Sequence, residues 1–476
     1  MTMTAKEGAP VPLNVMIPLG GLGTRFSNEG YDRPKPFVRV LGKEMILWIM
    51  ENLEIGEEDN LVVVYNPEFH SMDVLMKEIV GRRFANAVFV ELDGPTRGAA
   101  ETVLRGLEGT PQNIRGRPVM LVDGDTVYTY DIVGAYREVL LRARKDGNAA
   151  MGASFVFHDT QPKPIYSYVK VAEEENNGKA MMKIQKIKEK VKISDWANSG
   201  CYCFGDGNLL AEYCAKIIAA GEVQLSQDMK GEFYTSGVIA SMLDDGHGFV
   251  ALEVNAAEDV HVLGTPAQVE SFCKNIPRKI GGLARPYRFV FDLDNTLVTH
   301  PQIKGDYASC QPIERNIQYC KELKRQGHYI IVATARRMRT HHGCVGAVVS
   351  DIGKVTIDQL EKFGIPHDEV FFGKPWGHFY VDDANVDPIV GTLDKQLGFY
   401  FPTNEVLHGD PYALASSSGG GGKVSSSKGN SAGRSSVTAG NEDDASSSTR
   451  RRTLIVQSLI FAAGMALGAV VAKKRL

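Results

Sequence analysis

Asn14-Val15-Met16-Ile17-Pro18-Leu19 runs directly into Gly20-Gly21-Leu22-Gly23-Thr24-Arg25-Phe26. The first six residues carry the apolar run of a buried strand. The three glycines after them leave a turn with no Cβ to keep a phosphate away from the backbone N–H groups. Arg25 adds a cation at once. Arg33-Pro34-Lys35-Pro36 then sets a second cation, Lys35, between two prolines whose restricted φ makes the segment stiff and extended. The combination reads as a cradle for a nucleoside triphosphate. Two common phosphate-binding patterns do not match: a P-loop needs Lys-Ser or Lys-Thr straight after its last glycine, and a dinucleotide fingerprint needs G-x-G-x-x-G opening a helix.

Outward from this stretch, as far as about Ala257, short apolar runs alternate with amphipathic segments. Residues 61–64, 87–90 and 119–122 read as buried strands, separated by helical segments near 43–55, 70–84 and 97–109. Such alternation predicts a parallel sheet with helices on both faces, and ligands in such sheets gather at the carboxyl ends of the strands. Asp123-Gly124-Asp125 stands at one such end. Two carboxylates on one tight turn suit Mg²⁺, which takes hard oxygen ligands and few protein groups. Residues 166–174, 181–190 and 199–204 read as further strands. Cys201 and Cys203 share one face of the last of these and are expected to be buried. The seven cysteines are odd in number and form no Cys-x-x-Cys pair, which points to reduced thiols.

The glycine loop and its lysine resemble the sugar-phosphate nucleotidyltransferase family, whose G-G-x-G-T-R loop and later Pro-Lys pair match residues 20–25 and 34–35. The resemblance implies a nucleotide-diphospho-sugar transferase-like, Rossmann-type mixed α/β sheet over residues 11–280. It also implies that Gly20, Gly21, Gly23 and Thr24 hold the nucleotide and that Arg25 and Lys35 are catalytic. Asp123 and Asp125 then carry Mg²⁺, and Gly98, in Pro95-Thr96-Arg97-Gly98-Ala99-Ala100, either packs against the nucleobase or opens a well-packed helix. Glu189-Lys190 and Asn198-Ser199-Gly200 resemble the family's Glu-Lys and Asn-x-Gly elements. Glu189, Lys190, Asn198 and Gly200 are thereby expected to touch the acceptor's phosphate and hydroxyls; the plain alternative is a charged strand face of Lys188, Lys190 and Lys192. One departure stands out. Many members have an aspartate, a second metal ligand, where this chain has Val262; either Asp228 or Asp259 substitutes, or the site uses one carboxylate pair.

Near residue 286 the pattern restarts. Phe289-Val290-Phe291 ends in Asp292-Leu293-Asp294-Asn295-Thr296-Leu297. An aspartate at a strand's carboxyl end, followed two residues later by another, places a nucleophile and a general acid beside one phosphoryl group. Thr334 closes the strand 329–332, Lys374 follows 370–372, and Asp382-Asp383 closes 379–381. The series resembles haloacid dehalogenase (HAD)-like phosphatases, which implies a smaller Rossmannoid domain over 286–413. In it Asp292 would form an aspartyl phosphate, and Asp294 would protonate the leaving oxygen and activate water. Thr334 and Lys374 would hold phosphoryl oxygens, while Asp382 and Asp383 share Mg²⁺ with Asp292. Lys354, amid helical residues, is the weaker rival of Lys374. Arg336, Arg337, Arg339, His341 and His342 after Thr334 read either as receivers of an anionic substrate or as a solvated basic loop.

From residue 416 to 452 the composition turns to Ser, Gly, Lys and Asn, a disordered tether with nothing to build a core. Residues 453–472 form an uncharged apolar run of bilayer-spanning length, the expected transmembrane helix, with Lys473-Lys474-Arg475 after it. Gly464 and Gly468 give that helix a face suited to pairing, hence a homo-oligomer. Residues 1–10 contain no apolar signal core, so the catalytic domains are expected in the cytosol, held by a single-pass C-terminal anchor. The 476-residue chain carries a net charge of −4; nine Lys or Arg against three Asp or Glu from Ala415 onward leave about −10 on the rest. That sign excludes an electrostatic footprint for nucleic acid. The expectation is a bifunctional enzyme: nucleotidyl transfer from an NTP to a phosphorylated small molecule, foremost a sugar 1-phosphate, with release of pyrophosphate, plus Mg²⁺-dependent phosphomonoester hydrolysis. Two other readings stand beside it: CDP-forming transfer to phosphocholine or a phosphonate, and a phosphatase with a non-catalytic, regulatory transferase-like domain.

Overall fold

The computed structural model describes residues 11–67, 74, 76–145, 151–176, 179–225, 231–275, 286–378, 380, 385–386 and 393–400. The chain divides into two units, residues 1–414 and 415–476, and all described residues lie in the first. The expected tether, the apolar run, Asp228, Asp382 and Asp383 lie outside the described residues. Among the described residues no helix is long and apolar enough to cross a membrane.

Nine strands among the described residues form one mixed sheet. In chain order they are β1 (Asn14–Leu19), β2 (Asn60–Tyr65), β3 (Ala87–Glu91), β4 (Val119–Val122), β5 (Gly152–His158), β6 (Ser167–Asn176), β7 (Lys179–Glu189), β8 (Trp196–Phe204) and β9 (Phe249–Glu253). Across the sheet the order is β3-β2-β1-β4-β8-β5-β9-β7-β6. β1 lies between β2 and β4, parallel to both, with Val15 opposite Leu61 on one side and Met120 on the other. The period of two sends Val15 and Ile17 to one face of the sheet and Met16 to the other, each into its own apolar core. Each such fully covered side chain contributes about 1.5–3 kcal/mol relative to exposure, which is why this strand takes a central place.

Beyond β4 the sheet is mixed: β5 and β9 pair parallel, and the other neighbours run antiparallel. β8 runs antiparallel to both β4 and β5, and β7 antiparallel to β6 and β9. β6 and β7 stand too close in the chain for a crossover helix, so they can pair only antiparallel. The alternation of apolar runs with helices therefore describes β1–β4, and the second half follows a different rule. Helices differ in extent as well. α1 (Thr24–Asn28) and α2 (Met45–Glu51) are short, α3 (Ala99–Gly109) is full length, and the described residues near 70–84 include one π-helical turn, Met76–Val80. Gly81, a poor helix residue, follows that turn. α3 lies close on the sheet because Gly106 has no side chain: a Cβ there would stand 2.5 Å from Val64 Cγ2.

A second, three-stranded parallel sheet is built from β10 (Arg288–Asp292), β11 (Tyr329–Ala333) and β12 (Glu369–Phe371), in that order. Asp292 lies opposite Ala333, so the strands bring residues just past 292 and 333 to one edge. Helices α4 (Glu314–Arg325) and α5 (Val345–Lys362) fill the connections. The last short helix, α6 (Leu393–Leu397), and residues 398–400 return to the first half of the chain. There the Leu41 N–H donates to the Gly398 carbonyl at 2.7 Å, and the Gly42 N–H to the Leu397 carbonyl at 2.9 Å.

Candidate active sites

The glycine loop turns above the carboxyl end of β1. Gly23 has φ 65° at the head of α1, and a Cβ there would stand 2.9 Å from Lys35 Cβ. Glycine is thus required twice, for left-handed backbone and for the approach of Lys35. Gly20 packs on the start of α3, where its Cβ would meet Thr102 Oγ1 at 2.4 Å. Pro34 and Pro36 frame a single 3-10 turn, Lys35–Phe37, closed by the Phe37 N–H on the Pro34 carbonyl at 2.8 Å. From that turn Lys35 Nζ reaches to 2.5 Å from Asp125 Oδ2. A cleft of about 320 Å³ opens here, and Gly21, Gly23, Arg25, Lys35, Asp123 and Asp125 all line it.

Asp123 and Asp125 follow the end of β4. The Asp123 N–H donates to the Gly200 carbonyl at 3.1 Å, and the Asp125 carbonyl accepts from the Leu263 N–H at 2.6 Å. Each carboxylate faces a glycine: a Cβ on Gly200 would lie 2.4 Å from Asp123 Oδ2, and one on Gly264 2.9 Å from Asp125 Oδ2. Asp123 is open to the cleft but walled by protein on its other sides. Loss of solvation to those walls, then the Asp125 charge, push its carboxyl up to about 8; Lys35 acts in the opposite direction and Glu189 adds to the rise. A carboxyl raised by a neighbouring carboxylate is relieved by a cation. Both donors are hard oxygens, so the pair fits Mg²⁺. Among the described residues no third His, Cys, Asp or Glu joins them in a metal cluster.

Val262 lies opposite Thr126 in a two-stranded ribbon of Thr126–Tyr128 with Val260–Val262. Asp259 sits at the ribbon's other end, where its Oδ2 accepts from the Asn255 N–H at 3.3 Å. It does not take the place of an aspartate at 262.

The acceptor-side residues divide. Glu189 Oε2 accepts from Ser167 Oγ at 2.7 Å and Ser236 Oγ at 2.9 Å, and its charge is felt at Asp123. Lys190, with φ 51°, donates to the Tyr234 hydroxyl at 2.7 Å, and Lys192 donates to the Asp159 and Gln161 carbonyls at 2.9 Å. Of the three lysines only Lys188 fits a solvated face. Asn198 is buried, and its Oδ1 accepts from the Gly200 N–H at 2.7 Å. It braces the irregular stretch of β8 that carries Gly200, at φ 94°, against Asp123. Gly98, at φ 147°, makes room for backbone: its Cβ would stand 2.5 Å from the Phe233 nitrogen.

In the second sheet Asp292 ends β10, and Lys374 Nζ lies 3.0 Å from its Oδ1. Burial raises the Asp292 carboxyl, against the hydrogen bond and charge of Lys374. Thr334 follows β11, fully buried. Its N–H donates to the Phe371 carbonyl at 2.9 Å, and its Oγ1 accepts from the Arg336 N–H at 3.1 Å. Neither reading of Arg336 holds. The residue is 2% exposed, its guanidinium donates to both oxygens of Asp294, and Thr356 and Gln359 take its other N–H groups at 3.2 and 2.7 Å. It is neither a solvated cation nor one waiting for an anion, and sequence reasoning missed this role. Arg337 Nε lies 3.4 Å from Asp351 Oδ2, and His341 Nε2 lies 2.8 Å from the same oxygen. Arg339 has no carboxylate partner among the described residues and sits 5.0 Å from the Trp376 ring centre. Lys354, on α5, pairs with Asp358 in solvent.

Residues 14–233 match the family model described as nucleotidyl transferase, and residues 289–354 match one described as haloacid dehalogenase-like hydrolase. The bifunctional protein GlmU of Aquifex aeolicus (strain VF5) is 24% identical over 269 residues, 55% of this chain and 53% of that protein. The chain thus spans about half the length of the curated relative it matches. Among solved structures, a nucleoside-diphosphate-sugar pyrophosphorylase from Vibrio cholerae RC9 is 19% identical, over 54% of this chain and 98% of that one, with a TM-score of 0.44. An inositol-1-phosphate CTP transferase from T. maritima is 15% identical, over 55% of this chain and 92% of that one, with a TM-score of 0.39.

Proposed function

We propose that the chain is a bifunctional enzyme of phosphate-ester chemistry. Its first half transfers a nucleotidyl group from an NTP to a phosphorylated small molecule, foremost a sugar 1-phosphate, and releases pyrophosphate. The observation that carries this reading is the placement of Lys35 2.5 Å from Asp125 in a cleft shared with the glycine loop and Arg25. An acceptor phosphate oxygen attacks the α-phosphorus as the bond to pyrophosphate breaks. Arg25 and Lys35 present fixed cations to the charge that leaves, and the glycines admit phosphate oxygens to backbone N–H groups. Mg²⁺ held by Asp123 and Asp125 supplies further charge neutralisation when bound.

The second half hydrolyses a phosphomonoester. Asp292 attacks phosphorus while the alcohol departs with a proton from Asp294, and water then cleaves the aspartyl phosphate, returning Asp292. Lys374, 3.0 Å from Asp292, supports this reading by holding the nucleophile and a phosphoryl oxygen together. Asp292 with Asp382 and Asp383 would hold the Mg²⁺ of this site. Residues 416–452 serve as a tether and 453–472 as a membrane anchor that leaves both catalytic halves in the cytosol and pairs copies through Gly464 and Gly468; length and composition support this part.

Val262 favours a second reading, in which the transferase half regulates the phosphatase without catalysis. One experiment separates the two. The full chain, with Mg²⁺, is assayed for pyrophosphate release across the four NTPs and a panel of sugar, choline and phosphonate monophosphates, beside Asp123→Asn. Release with one pair, abolished in the variant, is the expected result. Silence across the panel, with aryl phosphate hydrolysis intact, overturns the transferase in favour of the regulatory reading.

A further inference from the structure

Residues 393–400 are rooted in the second half of the chain. The Tyr319 hydroxyl, on α4, reaches the Leu393 carbonyl at 3.2 Å and the Phe399 carbonyl at 3.3 Å. The Phe399 ring packs on Tyr287, Phe289 and His328, with centroids 5.8, 5.6 and 5.1 Å away.

Their other side is spent on the first half. Besides the two backbone hydrogen bonds from Leu41 and Gly42, Gly398 has φ 73° and passes so near the Arg39 carbonyl that a Cβ would stand 2.2 Å from its oxygen. The Lys395 ammonium donates to the Glu29 carbonyl, and the Tyr400 hydroxyl is hydrogen-bonded to that of Tyr31. Both tyrosines are buried, at 8% and 7% exposure. The Tyr31 ring meets Phe26 edge-on at 5.2 Å, and Phe26 is the residue after Arg25.

Glu29 and Tyr31 lie in the short connection between α1, which carries Arg25, and the 3-10 turn that begins with Lys35. We propose that residues 393–400 are a positioning strap for the transferase site. Lys395 and Tyr400 pin Glu29 and Tyr31, and so fix the spacing of Arg25 and Lys35 that a triphosphate must span. The inference rests on the reading of those two cations as triphosphate ligands. It makes the transferase dependent on a segment that the phosphatase half holds in place, a physical reason for the two to share one chain.

The test uses the full chain with Tyr400→Phe, which removes one hydroxyl and little volume, and Lys395→Met, which keeps the apolar stem. Loss of one ordinary hydrogen bond predicts a rise of about fivefold in the KM for the NTP, with kcat nearly unchanged. Aryl phosphate turnover at Asp292 stays at the wild-type rate. Amide hydrogen exchange over residues 24–35 becomes faster. Tyr31→Phe gives the same change, and the Tyr31→Phe/Tyr400→Phe double variant is no worse than either single one, because the pair acts as one interaction. Folded variants with unchanged KM and unchanged exchange overturn the strap. If the wild type releases pyrophosphate with no NTP, the transferase reading fails by itself and exchange over 24–35 alone decides: faster exchange sustains the positioning, and unchanged exchange removes it.

Discussion

Arg336 and Asp294 form a covered ion pair. Nε stands 3.0 Å from both carboxylate oxygens and Nη2 2.8 Å from Oδ1, with the arginine side chain wholly out of solvent. The guanidinium also lies 4.8 Å from the Tyr307 ring centre. Asp294 is thereby held beside Asp292 by a residue that never needs to touch substrate. It must also surrender one of these hydrogen bonds to take part in proton transfer.

Breaking such a pair by removing one partner strands the other charge. Asp294 keeps 22% side-chain exposure, so Arg336→Met is expected to lower stability by about 1–3 kcal/mol and to abolish aryl phosphate hydrolysis. Urea unfolding of the full chain measures the first effect. A loss under about 1 kcal/mol would mean that solvent reaches the pair and screens it.

Arg339 predicts the opposite behaviour. It is exposed, lies on Trp376 and lacks a carboxylate partner among the described residues. Arg339→Ala should leave stability within about 0.5 kcal/mol of wild type. It should raise the KM for phosphomonoesters bearing a second anionic group a few-fold, the scale of about 1 kcal/mol for an exposed charge pair, while sparing an aryl phosphate whose alcohol part is uncharged. Steady-state kinetics on the two substrates side by side decides it. Equal effects on both would place Arg339 outside substrate recognition.

Gly200→Ala strikes the first site alone. Its φ of 94° and the 2.4 Å between a Cβ and Asp123 Oδ2 force either the backbone or the carboxylate to move. A cost of about 1–3 kcal/mol in stability is expected from the backbone alone. Pyrophosphate release should fall, with half-maximal rate shifted to higher Mg²⁺ concentration, and aryl phosphate hydrolysis serves as the internal control. An unchanged Mg²⁺ dependence would detach Gly200 from the carboxylate pair.

What was legible in the sequence was local. The apolar run of β1, the run of glycines without a Cβ and the Pro-Lys-Pro stiffening of the Lys35 turn are all properties of neighbouring residues, as is the spacing of Asp123 and Asp125. What was not legible depends on partners far along the chain. The basic run after Thr334 looks uniform, yet Arg336 is buried against an aspartate 42 residues away, Arg337 meets Asp351, and Arg339, among the described residues, meets a ring and no carboxylate. At Gly98 the sequence leaves a packed helix start open, and the backbone it packs on belongs to the distant Phe233. The Tyr31–Tyr400 contact spans 369 positions, and no periodicity announces a pair of hydroxyls.

His328 gives the fold a pH dependence whose sign follows from its surroundings. The ring is 7% exposed, packed against Phe289 and Phe399 with centroids 5.2 and 5.1 Å away, and its Nδ1 accepts the Tyr287 N–H at 3.2 Å. A proton on Nδ1 would end that hydrogen bond, and burial alone holds the ring below the ordinary histidine value of 6.5. Between that value and the lower one of the folded state, the unfolded chain binds the extra proton and the folded chain does not. The neutral ring's contribution is therefore complete above 6.5 and is lost as pH falls below it. The urea midpoint of the full chain should drop between about pH 7.5 and pH 5.5, and His328→Phe, which keeps the aromatic packing, should flatten that part of the profile. Because Phe399 joins this ring to the strap, amide protection factors over residues 24–35, taken against the intrinsic exchange rate at each pH, should fall through the same acid window in the wild type and not in the variant. An identical slope in both proteins would assign the pH dependence to other groups.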